Sequence, residues 1–389
     1  EGNPGHALDL VEHLVEHGLL QYGEGTWVLP PSIGEAELPR DPQSVLQARL
    51  ARLPEHARAL AQVLSVREGL IPFELCTALA EVSGAQVFDA LQVLVAQGVL
   101  SVTGDAYRFE REPVRQLLLV ELSEQRKQRA HAISGEYFLS AQHLSPLDRL
   151  RAGLHLVLGG DVERGSEQVA LAAKHYGLVD LADVGQAAPT LERALAELRA
   201  LGRPEPELLT LYAPLALAGY YFERHYSDRY ADQTIALLER LLGLTRARRL
   251  QAFLGQRLGL WVSLGWAALQ FRRWSKNGRA PTFREAMMLL FYCVAASTGV
   301  STVCIDPQRA QRFANVLAPL RALGRDHVAK LMHDFCLNLA ATVRDGAGET
   351  RARWQRMIER LESTKPIRGL TSEVRILYLA GALYACGVI

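Results

Sequence analysis

The sequence predicts a mainly α-helical protein in two parts: a compact group of helices closed by a short two-stranded hairpin, then a long array of helical hairpins. Three observations carry that prediction. Apolar residues recur at helical spacing through most of the 389 residues, the pattern of helices that each bury one face. Strand-like alternation is confined to short pieces, most clearly around Gly104-Asp105. From Ser145 onward the helical runs are separated by Gly- or Pro-marked breaks, some recurring at a pitch near 40 residues, as when helical pairs stack on one another.

Hydrophobic residues make up 49% and charged ones 22%, enough apolar material for real cores and too much for a disordered chain. The length suits two or three domains. A formal net charge of +1 excludes a globally basic nucleic-acid binder. That balance hides an asymmetry. Residues 1–150 carry 12 basic and 20 acidic side chains, against 31 and 22 in the remainder, so the two parts are expected to do different jobs. The five cysteines, Cys76, Cys293, Cys304, Cys336 and Cys386, lie far apart and form no CxxC. They read as reduced, mostly buried, intracellular thiols, neither a disulfide framework nor a zinc site. The sequence has no signal peptide and no starting Met. It opens on Glu1-Gly2-Asn3-Pro4 and stops at Gly387-Val388-Ile389 after an apolar run; it is expected to be a piece of a longer polypeptide. Ala286 to Ile305 runs 20 residues without a charge, the length of a membrane span. Its second half is polar, β-branched and broken by Gly299, so two stacked core segments are expected there instead.

The elements follow in order. Ala7, Leu8, Val11, Leu14 and Val15 form one helical stripe that Gly18 ends. Tyr22 to Pro42 is rich in Gly and Pro and reads as a loop, with a short strand over Thr26–Leu29. Helix-like runs cover Gln43–Leu53, Glu55–Val66, Pro72–Glu81 and Gly84–Gln97. Pro54 and Pro72 are read as first helical residues and Ser83 as an N-cap. Val99–Thr103 and Ala106–Glu110 are strands joined at Gly104-Asp105. Three helices plus a two-stranded hairpin is the winged-helix layout, and residues 43–142 are assigned to it. Glu112–Leu122 and Glu124–Ser140 continue as helices, with Ser123 as N-cap between them.

Residues 145–389 form the array. Leu198-Arg199-Ala200-Leu201-Gly202-Arg203 returns as Leu320-Arg321-Ala322-Leu323-Gly324-Arg325, and Leu241-Leu242-Gly243 and Pro366 keep the same pitch. Breaks are expected near Gly202, Gly243, Asn277-Gly278, Gly324 and Pro366, with Leu201 and Leu323 in equivalent buried positions before a turn. Trp261, Leu264 and Gly265 match the start of a tetratricopeptide pattern, although Ala268 stands where that pattern has Tyr. The array is tetratricopeptide-like.

Three landmarks stand in order along the first part. Gly2-Asn3-Pro4 precedes an amphipathic helix ending in His17-Gly18-Leu19-Leu20. Pro42-Gln43-Ser44-Val45, Arg49-Leu50 and Leu53-Pro54 open the winged-helix region, and Tyr107-Arg108-Phe109 with Val114-Arg115 close it. As an ordered set these resemble the region after the nucleotide-binding core in bacterial signal-transduction ATPases with numerous domains. Those are AAA-type (STAND) regulators, often fused to Ser/Thr kinase or LuxR-type output domains. That family reads Gly-Asn-Pro-Phe-Phe at the end of the ATPase lid, then a winged helix closing on Phe-Arg-His-x-Leu-Val-Arg, then a helical repeat sensor. Gly5-His6 and Glu110-Arg111 depart from it. The resemblance covers residues 1–140. It implies that residues 1–22 end the ATPase lid, that the intact parent uses ATP or ADP with Mg, and that Pro4 contacts the adenine there. Read on the residues alone, Asn3-Pro4 starts a helix and needs no ligand. The implied partners are the parent's own ATPase core and, on the array, a protein or a small signalling ligand, in the cytoplasm.

Chemistry-bearing motifs are absent. There is no GxxxxGK[ST] loop, GxSxG, HExxH or kinase HRD/DFG set, so no catalytic residue, cofactor or metal is assigned to this chain itself. His13 and His17 share a helix face but lack a third ligand; they, His327 and His333 read as solvated polar residues. Glu205 and Glu207 flank Pro206 in an expected loop. Arg126-Lys127 with Arg129, and Arg246 with Arg248-Arg249, read as solvated faces. Arg272 to Arg279, with Trp274 inside, suits either an acidic partner or phosphates, or a plain surface turn. Three functions remain: a regulatory and scaffolding segment of a multidomain signalling ATPase, a DNA-binding winged-helix regulator, or an enzyme with an unfamiliar site in the helical half. The candidate recognition helix, Gly84–Gln97, has no Lys or Arg and carries Asp89, and the wing tip Thr103-Gly104-Asp105 is acidic. That favours the first function, with no DNA and no membrane partner.

Overall fold

The apolar periodicity translates into seventeen α-helices and two small antiparallel sheets among the residues described in the computed structural model. Those residues are 11, 14–15, 19–23, 26–28, 46–47, 50–80, 82–141, 143–178, 183–221, 227–299, 307–324, 326–363, 367–368 and 372–386. The chain divides into two units between Tyr137 and Phe138. Pro4, His13, His17, Cys304 and Pro366 lie outside the described residues.

In the first unit, β1 (Gln21–Gly23) pairs antiparallel with β2 (Thr26–Val28), placing Tyr22 opposite Trp27. The short strand expected at Thr26–Leu29 is β2; its partner β1 is not anticipated, since its three residues show too little alternation to announce a strand. Helix α1 (Glu55–Leu64), strand β3 (Ile71–Pro72), helix α2 (Phe73–Leu79) and helix α3 (Gly84–Ala96) follow. Pro54 and Pro72 sit just before α1 and α2, with extended ψ of 144° and 152°, and are N-caps, not first helical residues. Proline's fixed φ suits either position. Ser83 caps α3 through a full capping box with Gln86.

Strands β4 (Leu100–Thr103) and β5 (Ala106–Phe109) turn at Gly104, whose φ is +64°. β3 adds a third strand on the far side of β5, giving the order β3-β5-β4. Helices α4 (Glu112–Glu121) and α5 (Glu124–Leu139) complete the unit. Leu50, Leu64, Ile71, Leu75, Leu91, Leu94 and Leu118 fill its core. Arg115 is buried with them. Its guanidinium donates to the Ser65 carbonyl at 2.6 Å, and pairs with Glu112 at 2.5 Å and Glu68 at 3.4 Å. It closes the buried carbonyl end of α1 with a positive charge and holds the Glu112 carboxyl below its ordinary range.

The second unit is helical throughout its described residues, apart from a single β-bridge between His327 and Arg368. It runs α6 (Pro146–Leu158), α7 (Val162–Leu178), α8 (Val184–Ala200), α9 (Glu205–Tyr221), a π-turn (Ser227–Ala231), α10 (Asp232–Leu241), α11 (Leu244–Leu254) and α12 (Gln256–Trp274). A 3₁₀ turn (Ser275–Asn277), α13 (Phe283–Gly299), α14 (Pro307–Leu317), a 3₁₀ segment (Ala318–Leu323), α15 (Val328–Asp345), α16 (Ala347–Glu362) and α17 (Ser372–Cys386) follow. Chain neighbours pack together: α6 on α7, α8 on α9, α11 on α12, α14 on α15 and α16 on α17. One continuous apolar core threads the pairs, from Leu150 to Ala382. Near its far end Phe335 meets Trp354 and Tyr378 edge-on, at centroid distances of 5.1 and 4.4 Å.

The predicted breaks at Gly202, Gly243, Gly278 and Gly324 all fall between helices, each with positive φ. The equivalence of Leu201 and Leu323 does not hold. Leu201 follows the last turn of α8 and is 51% exposed, whereas Leu323 ends a 3₁₀ segment and packs partly on the core. The buried pair is three residues earlier, Leu198 and Leu320, at 3% and 0% exposure. An α-turn and a 3₁₀ turn rotate the next leucine differently. Trp261 is 60% exposed and lies outside the buried core. α13 covers the start of the long uncharged run and buries Ala286, Leu289, Leu290, Cys293 and Val294. No single helix among the described residues is long and apolar enough to cross a membrane.

Two glycines set the α6–α7 crossing. A Cβ on Gly153 would lie 2.7 Å from the Val169 nitrogen, and one on Gly165 would lie 2.7 Å from the Gly153 oxygen. Gly259 of α12 approaches the Leu250–Gln251 backbone of α11 just as tightly. Gly265, also inside α12, has nothing within 4 Å. Gly265→Ala should therefore stabilise the protein by about 0.5–1 kcal/mol through helix propensity. Gly165→Ala should destabilise it by about 1–3 kcal/mol, because backbone cannot yield as a side chain does. Urea unfolding of the two variants checks the opposite signs.

Candidate interaction surface

Helix α12 is apolar on two faces. One carries Leu260, Ser263, Leu264, Ala267 and Phe271, all buried. The other carries Leu258, Trp261, Val262, Trp266 and Leu269, exposed at 57%, 60%, 47%, 53% and 63%. These five follow the spacing of a single helical stripe. Phe253 and Leu254, at the end of α11, are also exposed. Apolar side chains scattered singly on a surface need no explanation; a contiguous row does.

The α11–α12 hairpin carries charge of one sign. From Glu239 to Glu285 there is no intervening Asp or Glu. Arg246, Arg249, Arg257, Arg272 and Arg273 are exposed. The Arg246 guanidinium lies 5.5 Å from the centroid of the Trp266 ring, a cation–π distance. Arg248 is committed elsewhere, to Glu239 at 2.9 Å and the Asn315 carbonyl at 2.6 Å.

The Arg272–Arg279 segment proves to be an anchored turn. Lys174 donates to the carbonyls of Gly278 and Ala280, at 2.6 and 3.2 Å, and Thr210 donates to that of Arg279 at 2.8 Å. Arg279 itself pairs with Glu163, which also pairs with Arg203. Arg272, Arg273 and Lys276 remain exposed.

Other sequence candidates have structural roles. Glu205 and Glu207 are not in a loop but in the first turn of α9, where Pro206 is tolerated and acids suit the helix dipole. They pair with Arg240 and Arg203. His327 and His333 are not plain surface residues: His327 is half-buried and serves a helix start. His333 is buried, 3.3 Å from Asp334. Burial would raise the Asp334 carboxyl, yet His333 and Lys330 hold it below its ordinary value. His327 Nδ1 accepts the Ala329 amide at 3.1 Å and so caps α15. Cys76, Cys293 and Cys336 are buried free thiols; burial pushes the first two up to about 12 and the third higher still. Among the described residues no group of His, Cys, Asp and Glu could hold a metal ion.

In the first unit the outward residues of α3 are Ala85, Gln86, Phe88, Asp89 and Gln92, with no positive charge among them. The β4–β5 tip exposes Val102, Thr103 and Asp105. A cavity of about 480 Å³ is lined by apolar residues of α1, α2 and α3 together with His56, Gln86, Asp89 and, from α5, Arg126.

No family model matches the chain, and no curated protein matches it. Among solved structures it is similar to a signal transduction ATPase with numerous domains (STAND) protein with a tetratricopeptide repeat sensor, from Pyrococcus horikoshii. The identity is 14% and the TM-score 0.28, over 89% of this chain and 55% of that one. The chain thus spans about half the length of that protein.

The His327 cap gives a pH dependence. Its Nδ1 can accept only while the ring is neutral. Burial, and then Arg368, lower its pKa below the ordinary 6.5. Between the lowered folded value and 6.5 the unfolded chain binds the extra proton, so stability is complete above about pH 6.5 and falls as pH drops below it. His327→Asn keeps a capping acceptor without titrating. Urea midpoints from about pH 5 to 7.5 should slope less in that variant than in the parent.

Proposed function

We propose that the chain is a non-catalytic sensor and protein-interaction segment of a larger ATP-dependent signalling protein, working in the cytoplasm. The observation that carries this reading is the outward apolar face of α12, rimmed by arginine, on an array of packed helical pairs. Stacked hairpins offer extended surfaces suited to recognition. The ordered motifs of the first 140 residues support the same reading. In it, residues 43–142 are a winged-helix module that packs on an ATPase lid and relays its nucleotide state. ATP or ADP with Mg belongs to the core of the larger protein, and Pro4 meets the adenine there. Arg115, Arg203, Arg279 and His327, which a search for chemistry would single out, each serve a helix end or a turn.

The alternative is direct DNA binding by the winged helix. Duplex binding needs Lys or Arg to neutralise phosphates, and α3 presents none. In a mobility-shift titration with random duplex at low salt, no retardation is expected; salt-sensitive binding would support the DNA-binding reading instead.

Nucleotide decides the rest. Calorimetric titration of this chain with MgATP should give no binding heat, because the phosphate cradle and its Lys are missing; micromolar binding would overturn the non-catalytic reading. In the larger protein, Pro4→Ala should weaken ADP retention without unfolding. Ending that protein after residue 142 should alter its ATP turnover several-fold. Unchanged turnover would mean that the array does not regulate.

A further inference from the structure

We infer that the outward face of α12 is a docking site for an acidic amphipathic helix of a partner protein, an inference that rests on the sensor reading. Leu258, Trp261, Val262, Trp266 and Leu269 form one row along the helix, and its opposite side is already used by the core. A helix laid along such a row meets it with its own residues at i, i+3, i+4 and i+7. Trp and Arg are the residue types that most often anchor interfaces.

The charge selects the occupant. The α11–α12 hairpin contains no acid; the Arg246 guanidinium lies over Trp266 in the row, and exposed Arg272 and Arg273 follow it in the last turn of α12. Two copies pairing through this face would set like charge against like charge, since a two-fold contact brings the same patch together twice. A lipid surface would suit tryptophan and arginine at its boundary. Here, however, the Arg246 guanidinium lies over the Trp266 ring, within the apolar row. Pressing the row into acyl chains would draw that charge in with it, at high cost. A carboxylate on a protein helix instead meets Arg246 directly in a charge-assisted hydrogen bond. Apolar residues of the same helix then cover Trp261 and Leu258.

Three probes test this on the whole chain. The first is a labelled amphipathic helical peptide with a leucine stripe flanked by Glu. The second is the same peptide with Lys for Glu, and the third is vesicles of phosphatidylglycerol and phosphatidylcholine. The Glu peptide should bind at micromolar strength, more weakly as salt rises, and the Lys peptide at least about tenfold more weakly. Trp261→Ser and Arg246→Glu should each lower Glu-peptide affinity about tenfold. Both positions are exposed, so an unchanged circular dichroism spectrum confirms that the variants fold. Equal binding of the two peptides, no binding, or binding indifferent to both substitutions overturns the inference. So does vesicle binding lost in Trp261→Ser, which assigns the face to membrane, or self-association lost in that variant, which assigns it to a second copy. If docking fails while array-dependent ATP turnover persists, the sensor reading stands and this face is not its receptor.

Discussion

The second unit depends on helices that touch backbone to backbone. Where α6 crosses α7, Gly153 and Gly165 face each other with no room for a methyl group, and Gly259 repeats the arrangement where α12 meets α11. Close approach lets flanking residues such as Val157 and Val169 interdigitate in the core, so a missing side chain yields denser packing around it. The rest of the array is then a matter of stacking. The pairs share one core, and α13 links them, packing on α7, α9 and α10 on one side of the sequence and on α15 and α17 on the other.

Polar chemistry is spent on ends and turns. Arg115 closes the carbonyl end of α1, His327 caps α15, and Lys174 and Thr210 bind the carbonyls of the turn after α12. A helix terminus leaves backbone groups without intrahelical partners, and near the core these must find side chains. The same accounting explains why histidines and arginines that look available in the sequence are occupied in the fold. What it leaves over is unbalanced: an apolar row and several arginines on one hairpin that itself contains no acid.

Much of the architecture was legible beforehand. The helices from Glu55 to Leu139, the hairpin at Gly104 and the caps at Ser83 and Ser123 follow from spacing and capping chemistry. So do the glycine breaks of the array. The failures have physical causes. β3 is two residues long and shows no period. The repeated hexapeptide promised identical environments, but one copy ends an α-helix and the other is 3₁₀. The α12 face was hidden for a different reason. A helix apolar on both sides has no strong asymmetry, so its sequence looks like a buried helix; only packing shows which side is left uncovered. Arginines between Glu239 and Glu285 were visible as local clusters, while their common relation to that face needed the hairpin to be folded.

The turn after α12 has a consequence for how the molecule comes apart. Lys174 reaches it across 104 residues of chain and Thr210 across 69. Arrays of helical pairs ordinarily fray from an end, one pair at a time, because each pair touches only its neighbours. Here the stretch from α7 to the start of α13 is fastened to itself at both ends. Such a loop is slow to close, because distant segments must meet before the contact rewards them. Once closed, it ties α7 and α9 to the turn before α13, so that hydrogen exchange in these segments is expected to share an opening event.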